Sequence, residues 1–208
     1  MDSLVHELQR DSLNKNIEIS DLLRKALLVS RKLQIKDIIE WLNFELNGYE
    51  NTIIPEYRKV NGELKAFNPY NGWIPVFIST EWQETLCHQY LGGSISQIEH
   101  LLVTSKGGHC LYKYPGDIQQ IIMRMMNQNF QPTLHISLHQ LVRIIDTVRT
   151  KVMEFALDLE AKGILGNGII FTKHEQQIAQ TVTYNTIHIE RMENSQIQQA
   201  NDESSQSK

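Results

Sequence analysis

The feature that most constrains the fold is a pair of strand-like runs separated by a turn. The first run covers residues 57–67 and the second begins at Trp73. Between them stands Asn68-Pro-Tyr-Asn-Gly72, a cluster of residue types that favour turns. We therefore predict a β-hairpin. Because Pro75 has no backbone N–H to donate, we expect the second strand at a sheet edge or interrupted there.

The first run alternates unevenly between apolar and charged residues. The apolar residues Val60, Leu64 and Phe67 are predicted to face the core. The charged residues predicted to face solvent are Arg58, Lys59, Glu63 and Lys65.

Apolar residues at helical spacing predict helices on both sides of the hairpin. The clearest pattern lies in residues 137–162, where apolar residues recur at alternating three- and four-residue steps. A partner-seeking coiled coil is one interpretation, but additional apolar positions widen the stripe and favour a core-facing helix. The other predicted helices cover residues 3–13, 20–33, 36–46, 81–89 and 94–103, a segment starting at Pro115, and a short segment after Thr172 with capping-box spacing to Glu175. Short strands are predicted at 109–114 and 133–136.

These elements predict an α+β fold in which a helical layer with a long C-terminal helix packs against a small antiparallel sheet containing the hairpin. We expect one domain over residues 1–186, because no linker-like composition interrupts them. Residues 187–208 are polar and contain no Phe, Trp or Tyr. Such a segment cannot bury enough apolar surface to offset its chain entropy, so we expect a disordered tail.

Composition limits the classes of function. The 208 residues contain 20 Lys and Arg against 24 Asp and Glu, so the net charge is -4 and no global basic field favours nucleic acid. Cys87 and Cys110 are the only cysteines and are predicted to be reduced thiols. Without a signal sequence or an apolar run of membrane-spanning length, the chain is expected to be cytoplasmic with no membrane partner.

One helix carries a possible basic patch. Arg24, Lys25, Arg31 and Lys32 lie opposite the apolar face of the helix predicted over residues 20–33. They provide a local site for nucleic acid, or an ordinary solvated face paired with Glu7, Asp21 and Glu40. We favour the solvated face.

No motif in the sequence indicates catalysis. His135 and His139 with Cys110 or His109 form only a weak metal signal, since no paired cysteine motif accompanies them. The glycines of residues 163–168 follow a helix and lack the Gly-Lys-Ser/Thr ending of a phosphate loop. We predict no metal, no cofactor and no enzyme activity. The alternative is a toxin-type effector, such as a nuclease or nucleotide-processing enzyme, whose residues meet only in the fold.

The hairpin concentrates the residue types that anchor molecular contacts. We predict that its surface binds a protein, with nucleic acid as a disfavoured second partner. The same side chains also suit a purely structural hairpin, with Phe67 and Trp73 in the core and the charges in solvent. The candidate binding residues are Tyr57, Arg58, Lys65, Tyr70 and Trp73.

Several motifs together resemble a known family. Ser20-Asp-Leu-Leu-Arg-Lys-Ala-Leu27, Trp41-Leu-Asn-x-Glu-Leu-Asn-Gly-Tyr49 and Asn68-Pro-Tyr-x-Gly-Trp-Ile-Pro75 are similar to the bacterial AbiTii domain, named after a lactococcal abortive-infection protein that limits phage. The resemblance covers about residues 1–178. It implies anti-phage defence as a sensor or adaptor, with a phage component or a host defence protein as partner, and it carries over no catalytic residue.

Overall fold

The computed structural model describes residues 3–105, 107–181 and 184. The chain divides into two compact units. The helical unit contains residues 1–53, 93–96 and 145–208, and the sheet unit contains residues 54–92 and 97–144. The predicted tail lies outside the described residues. The single domain over residues 1–186 stays a prediction, and a stable proteolytic fragment ending near Lys106 would contradict it.

The helical unit is built from amphipathic helices whose apolar faces are buried. It contains α1 (Leu4–Leu13), α2 (Ile19–Leu33), α3 (Lys36–Asn47), the part of α7 (Leu138–Ala161) that follows Ile144, and α8 (Lys173–Thr181). Ser3 begins α1 by accepting a hydrogen bond from the backbone N–H of Val5 at 3.2 Å. The buried side chains of the unit include Leu8, Leu22, Val29, Leu42, Val152 and Phe155.

The start of α2 differs from the prediction. The helix begins at Ile19, and its N-cap residue Glu18 makes no capping bond through its side chain. Ser20 lies in the first turn and is buried. The prediction that Ser20 caps this helix is therefore wrong, because Ser20 lies inside the helix.

The described residues of the sheet unit form five strands and the helices around them. Its elements are a 3-10 turn at Glu56–Arg58, β1 (Lys59–Asn68), β2 (Gly72–Pro75), α4 (Thr80–Cys87), β3 (His88–Tyr90), most of α5 (Ile95–Thr104), β4 (His109–Tyr112), α6 (Gly116–Met126), β5 (Gln131–Ser137) and the start of α7. The strand order is β2-β1-β5-β4, and β3 pairs with the beginning of β1. Every pairing is antiparallel. The hairpin, the long helix α7 and the α+β class are confirmed. The helix predicted to reach Gln89 ends at Cys87 instead, and β3 follows it.

The two faces of the sheet follow strict alternation along β1. Val60, Leu64 and Ala66 are buried, whereas Glu63 and Phe67 are exposed. Opposite residues in antiparallel strands share a face, so Leu64 and Ala66 lie with their buried β5 partners Leu134 and Pro132. The prediction that Phe67 faces the core is wrong. Its side chain is 47% exposed, because Ala66 occupies the inward position beside it.

Side chains of α7 complete the backbone hydrogen bonds of β1 where β5 ends. The Gln140 side chain accepts from the Asn61 N–H at 2.8 Å and donates to the Asn61 carbonyl at 2.5 Å. Arg143 donates to the carbonyl of Lys59 at 2.7 Å. These bonds attach the first turns of α7 to β1 and give the backbone groups of Asn61 and Lys59 hydrogen-bond partners. Among the described residues, none of the helices has the length and hydropathy needed to cross a bilayer.

Candidate recognition surface

The turn of the hairpin fixes the direction of β2. The side-chain oxygen of Asn68 accepts hydrogen bonds from the N–H groups of Tyr70 at 2.8 Å and Asn71 at 3.3 Å. Gly72 then adopts a φ of +73°, a conformation that costs a glycine little. This local bonding sets the register in which Phe67 lies opposite Trp73.

Trp73 is the centre of an aromatic cluster on the solvent side of the sheet. Its ring packs edge-to-face against Phe67, with centroids 5.2 Å apart, and against His135, with centroids 4.6 Å apart. These three residues belong to β2, β1 and β5, which are adjacent strands. His109 lies further along the same side, 6.4 Å from His135 between ring centroids. Trp73 remains 41% exposed.

The charges beside this cluster compensate each other. Lys65 lies 2.8 Å from the carboxylate of Glu63. This hydrogen bond lowers the pKa of Glu63, so the carboxylate is ionised and offsets the ammonium charge. We use the name aromatic sheet face for the set Glu63, Lys65, Phe67, Trp73, His109, Leu111 and His135.

His135 contributes a ring and little charge. Its partial burial lowers its pKa, and the nearby Lys65 and His109 act in the same direction, while Glu63 opposes them. The imidazole is therefore neutral at pH 7. The centre of the aromatic sheet face is consequently apolar and aromatic, with its single ion pair at the side.

The structure separates the five predicted binding residues. Lys65 and Trp73 lie on the aromatic sheet face, and Tyr70 lies at the turn with 94% of its side chain exposed. Tyr57 is half-buried in the 3-10 turn. Phe67, His109 and His135 were not predicted as binding residues; strict alternation along β1 is the signal that would have identified Phe67.

Arg58 does not belong to this surface. Its side chain is 0% exposed, and its guanidinium donates to the carbonyl of Leu91 at 2.8 Å. The backbone N–H of Leu91 donates in turn to the carbonyl of Arg58 at 3.1 Å. The prediction that Arg58 faces solvent is wrong, because the 3-10 turn before β1 directs it toward the Leu91 backbone. Direct contact of Arg58 with a partner is excluded in this conformation.

The basic residues of α2 are partly neutralised by nearby carboxylates. Arg24 pairs with Asp21 at 2.6 Å, and Lys25 pairs with Glu7 at 3.4 Å and more closely with Asp11. The pairing with Glu7 and Asp21 agrees with the prediction of a solvated helix face. Arg31 is exposed and Lys32 half-buried.

The remaining candidate groups for chemistry are the possible metal ligands and the two thiols. Within residues 3–105 and 107–181, no group of three His, Cys, Asp or Glu side chains is arranged to hold a metal ion. Cys87 and Cys110 are free thiols, and burial raises the pKa of both, so both are protonated at neutral pH.

The glycine-rich loop after α7 is closed by a carboxylate of its own chain. Glu175 accepts hydrogen bonds from the backbone N–H groups of Leu165 at 3.0 Å and Gly166 at 2.8 Å. It also accepts from the N–H of Thr172 at 2.8 Å, which confirms the predicted capping box. The N–H groups of Leu165 and Gly166 are thus occupied, which agrees with the interpretation of this segment as a structural loop.

The chain matches one family model among known proteins. No curated protein and no solved structure matches the chain. A family model, AbiTii, matches residues 3–184, which include the hairpin and the whole aromatic sheet face. The chain therefore belongs to the AbiTii family, which suggests an abortive-infection role in phage defence.

Proposed function

We propose that this chain acts in abortive infection as a sensor or adaptor that binds a protein partner through the aromatic sheet face. The observation that supports this proposal is the exposed cluster of Trp73 between Phe67 and His135. Three adjacent strands hold the rings, so few side-chain rotamers remain to be ordered when a partner binds. A rigid aromatic surface of this kind is typical of binding hot spots.

The charge distribution on the face favours a protein over a phosphate backbone. Protein interfaces have aromatic centres that are depleted in charge, with polar residues around them. The only Lys of the face, Lys65, is already bonded to Glu63. A phosphate would have to displace that carboxylate, whereas an apolar protein side chain packs on Trp73 without disturbing the pair.

Single-stranded nucleic acid is the second candidate, and one observation favours it. The sheet unit contains seven Lys and Arg against six Asp and Glu, so the net negative charge of the chain belongs to the helical unit. Bases stack on aromatic side chains of exposed sheets in several RNA-binding modules. Salt distinguishes the two candidates, because phosphate contacts weaken steeply as salt rises and an apolar protein interface changes little.

The central experiment is a phage-protection assay in cells. We expect Trp73→Ala to abolish protection, because removing the central anchor of an interface weakens binding by about 30-fold. The matched control is Phe77→Ala, since Phe77 is an aromatic residue of the sheet unit that is 92% exposed and lies outside the face. Circular dichroism and thermal melting must show that both variants remain folded. Full protection by folded Trp73→Ala would contradict the proposal.

The toxin-type effector is tested separately with purified protein. The chain is incubated with RNA, DNA and nucleotides, with and without divalent metal ions. Turnover that requires a metal and is removed by one substitution would replace the recognition-module proposal with an enzyme. Affinity purification from infected cells, with wild type and Trp73→Ala compared, then identifies a protein that depends on the face.

A further inference from the structure

The two outer strands of the sheet, β2 and β4, present different backbone groups to their open sides. In antiparallel strands, the N–H and C=O of one residue point to the same side, and those of the next residue point away. A single backbone hydrogen bond next to the end of a strand therefore shows to which side every N–H and C=O group of that strand points. The N–H of Leu138 donates to the carbonyl of Gly108 at 3.1 Å, on the β5 side of β4.

Alternation from Gly108 gives the direction of every backbone group in β4. The groups of Cys110 and Tyr112 point toward their β5 partners Ile136 and Leu134. The N–H and C=O groups of His109 and Leu111 therefore point away from the sheet. Among the described residues, β5 is the only strand paired with β4, and no other group bonds the backbone of His109 or Leu111.

The edge at β2 is blocked by proline. The N–H of Val76 donates to the carbonyl of Leu64 at 2.9 Å, so alternation directs the backbone groups of Trp73 and Pro75 outward. Pro75 has no N–H, and this edge offers a single donor, from Trp73. Proline at an outward position is a common protection against strand addition. Strand β4 contains no proline, lysine or bulge in its four residues.

We propose that an extended segment of the partner protein adds to β4 as a further strand of the sheet. This inference rests on the proposed function, and it adds how the partner is held. The outward N–H and C=O groups of His109 and Leu111 supply two donors and two acceptors at the spacing of a strand. In this mode of recognition, main-chain bonds provide affinity and alternate side chains provide specificity.

The residues in and around β4 indicate which side chains the added partner segment should carry. Residues 100–116 contain no Asp or Glu but include Lys106, His109 and Lys113, so acidic residues complement this part of the chain. Leu111 is exposed on the same side as His135, which is its register partner. The segment that fits places an apolar residue beside Leu111 and an acidic residue beside His109. These two residues are two positions apart, so both lie on the aromatic sheet face.

A second copy of the chain fits the edge less well. Pairing of two β4 strands joins only four residues from each copy, and a stable interface buries about 1,200 Å² or more. A partner that also covers Trp73 gains the additional contact area of the aromatic sheet face. The edge and the face are continuous through His135 and Leu111.

The test uses the complete chain and synthetic peptides of defined pattern. Three acetylated heptapeptides have Thr at every second position, and the positions between alternate Leu with Glu, with Gln or with Lys. Binding is measured by isothermal titration. We expect the Glu peptide to bind most tightly and the Lys peptide most weakly. Residues that share a face with Leu111 direct their own N–H groups toward β4. Methylation of the Leu and Glu nitrogens should therefore weaken binding at least about tenfold, and methylation of the Thr nitrogens should not.

The matching change in the protein is Leu111→Pro. It removes an outward N–H and no bond to β5, so the sheet is retained and peptide binding falls about tenfold. Leu111→Ala keeps the N–H and serves as the control. If Leu111→Pro does not fold, the effect of peptide methylation on binding is the test of strand addition.

Three results with the purified protein would overturn the inference. They are no binding of any peptide, binding that is unchanged both by methylation and by a folded Leu111→Pro substitution, and a wild-type dimer that Leu111→Pro dissociates. The dimer would assign the edge to a second copy. Loss of phage protection by Trp73→Ala but not by Leu111→Pro would reject strand addition and leave the proposed function standing. Protection that survives Trp73→Ala would reject the proposed function instead.

Discussion

The two units differ in whether structural contacts explain their exposed side chains. In the helical unit, Arg24 and Lys25 have carboxylate partners that explain their presence on an exposed helix. In the sheet unit, Phe67 and Trp73 remain substantially exposed. Burying a large aromatic side chain stabilises a fold by roughly 2–3 kcal/mol, and exposure forgoes much of that gain. Exposed rings held by a sheet therefore indicate binding more strongly than exposed charges on a helix.

The largest expected effect separates burial from recognition inside the sheet unit. We expect Arg58→Ala to lower the free energy of unfolding by about 3 kcal/mol or more. The substitution removes a fully buried side chain and leaves the Leu91 carbonyl without its guanidinium donor. Urea unfolding followed by circular dichroism measures the change.

The control is Lys59→Ala, since Lys59 is the adjacent cation and its ammonium pairs with Glu84 at 3.0 Å near the surface. We expect little change from it. A folded Arg58→Ala protein with wild-type stability that has lost phage protection would show that Arg58 is an accessible contact. Burial would then not distinguish structural residues from contact residues in the sheet unit.

The second effect concerns the close approach of β1 and β5. A Cβ atom at Gly62 would lie 2.6 Å from Cγ of Leu134 and 2.8 Å from the carbonyl oxygen of His135. We expect Gly62→Ala to destabilise the chain by about 2 kcal/mol, because one of these strands must move. Thermal melting measures the effect, and displacement of His135 should also weaken partner binding.

Gly116→Ala provides the matched control, because a Cβ there meets nothing within 4 Å. Gly116 begins α6, so alanine should be neutral or slightly stabilising. Equal losses from both substitutions would show that the β1–β5 spacing is not the constraint.

Local chemistry in the sequence predicts much of this fold. The three- and four-residue steps that predict α7 need only the helical period, and the Asn68–Gly72 turn needs only its residue types. Pro75 at the edge follows from its missing N–H, and the structure shows that this missing donor would have pointed outward. Thr172 and Glu175 are three residues apart, so their mutual capping is also a local property.

The recognition surface depends on pairings that are distant in sequence. The guanidinium of Arg58 meets a carbonyl 33 residues away, and no local pattern specifies that partner. His135 joins Trp73 only because β5 pairs with β1, and β3 has three residues, too few for a periodic signal. The prediction for Phe67 fails for a different reason: its hydrophobicity favours the core, but alternation with the buried Ala66 places its ring on the exposed face.

The third prediction tests the helical unit through Glu175. We expect Glu175→Ala to lower stability by about 1–2 kcal/mol, because three backbone donors lose their acceptor. Burial acts to raise the pKa of Glu175, but its hydrogen bonds outweigh burial and lower it. The stabilisation is therefore present above about pH 4.5 and is lost as pH falls through the lower pKa of the folded state.

Glu175→Gln separates charge from shape in this cluster. Gln retains one acceptor oxygen but does not ionise, so the stability of this variant should depend less on pH below 4.5. Gln177→Ala, on the exposed side of α8, is the neutral control. An acid profile of Glu175→Gln identical to that of the wild type would remove Glu175 as the source of the dependence.

The smallest effect is expected at the ion pair of Arg24 and Asp21 in the helical unit. Both side chains are 64% exposed and three residues apart on α2, so their coupling should be about 0.3 kcal/mol and should decline with salt. A double-mutant cycle with Arg24→Ala, Asp21→Ala and the pair measures it. Phage protection should be unchanged in all three variants, because the two charges are partners of each other on one helix and need no binding partner. If Arg24→Ala removes protection while the melting temperature stays constant, the basic face of α2 is a binding site. Paired charges would then indicate function in this protein as strongly as exposed rings do.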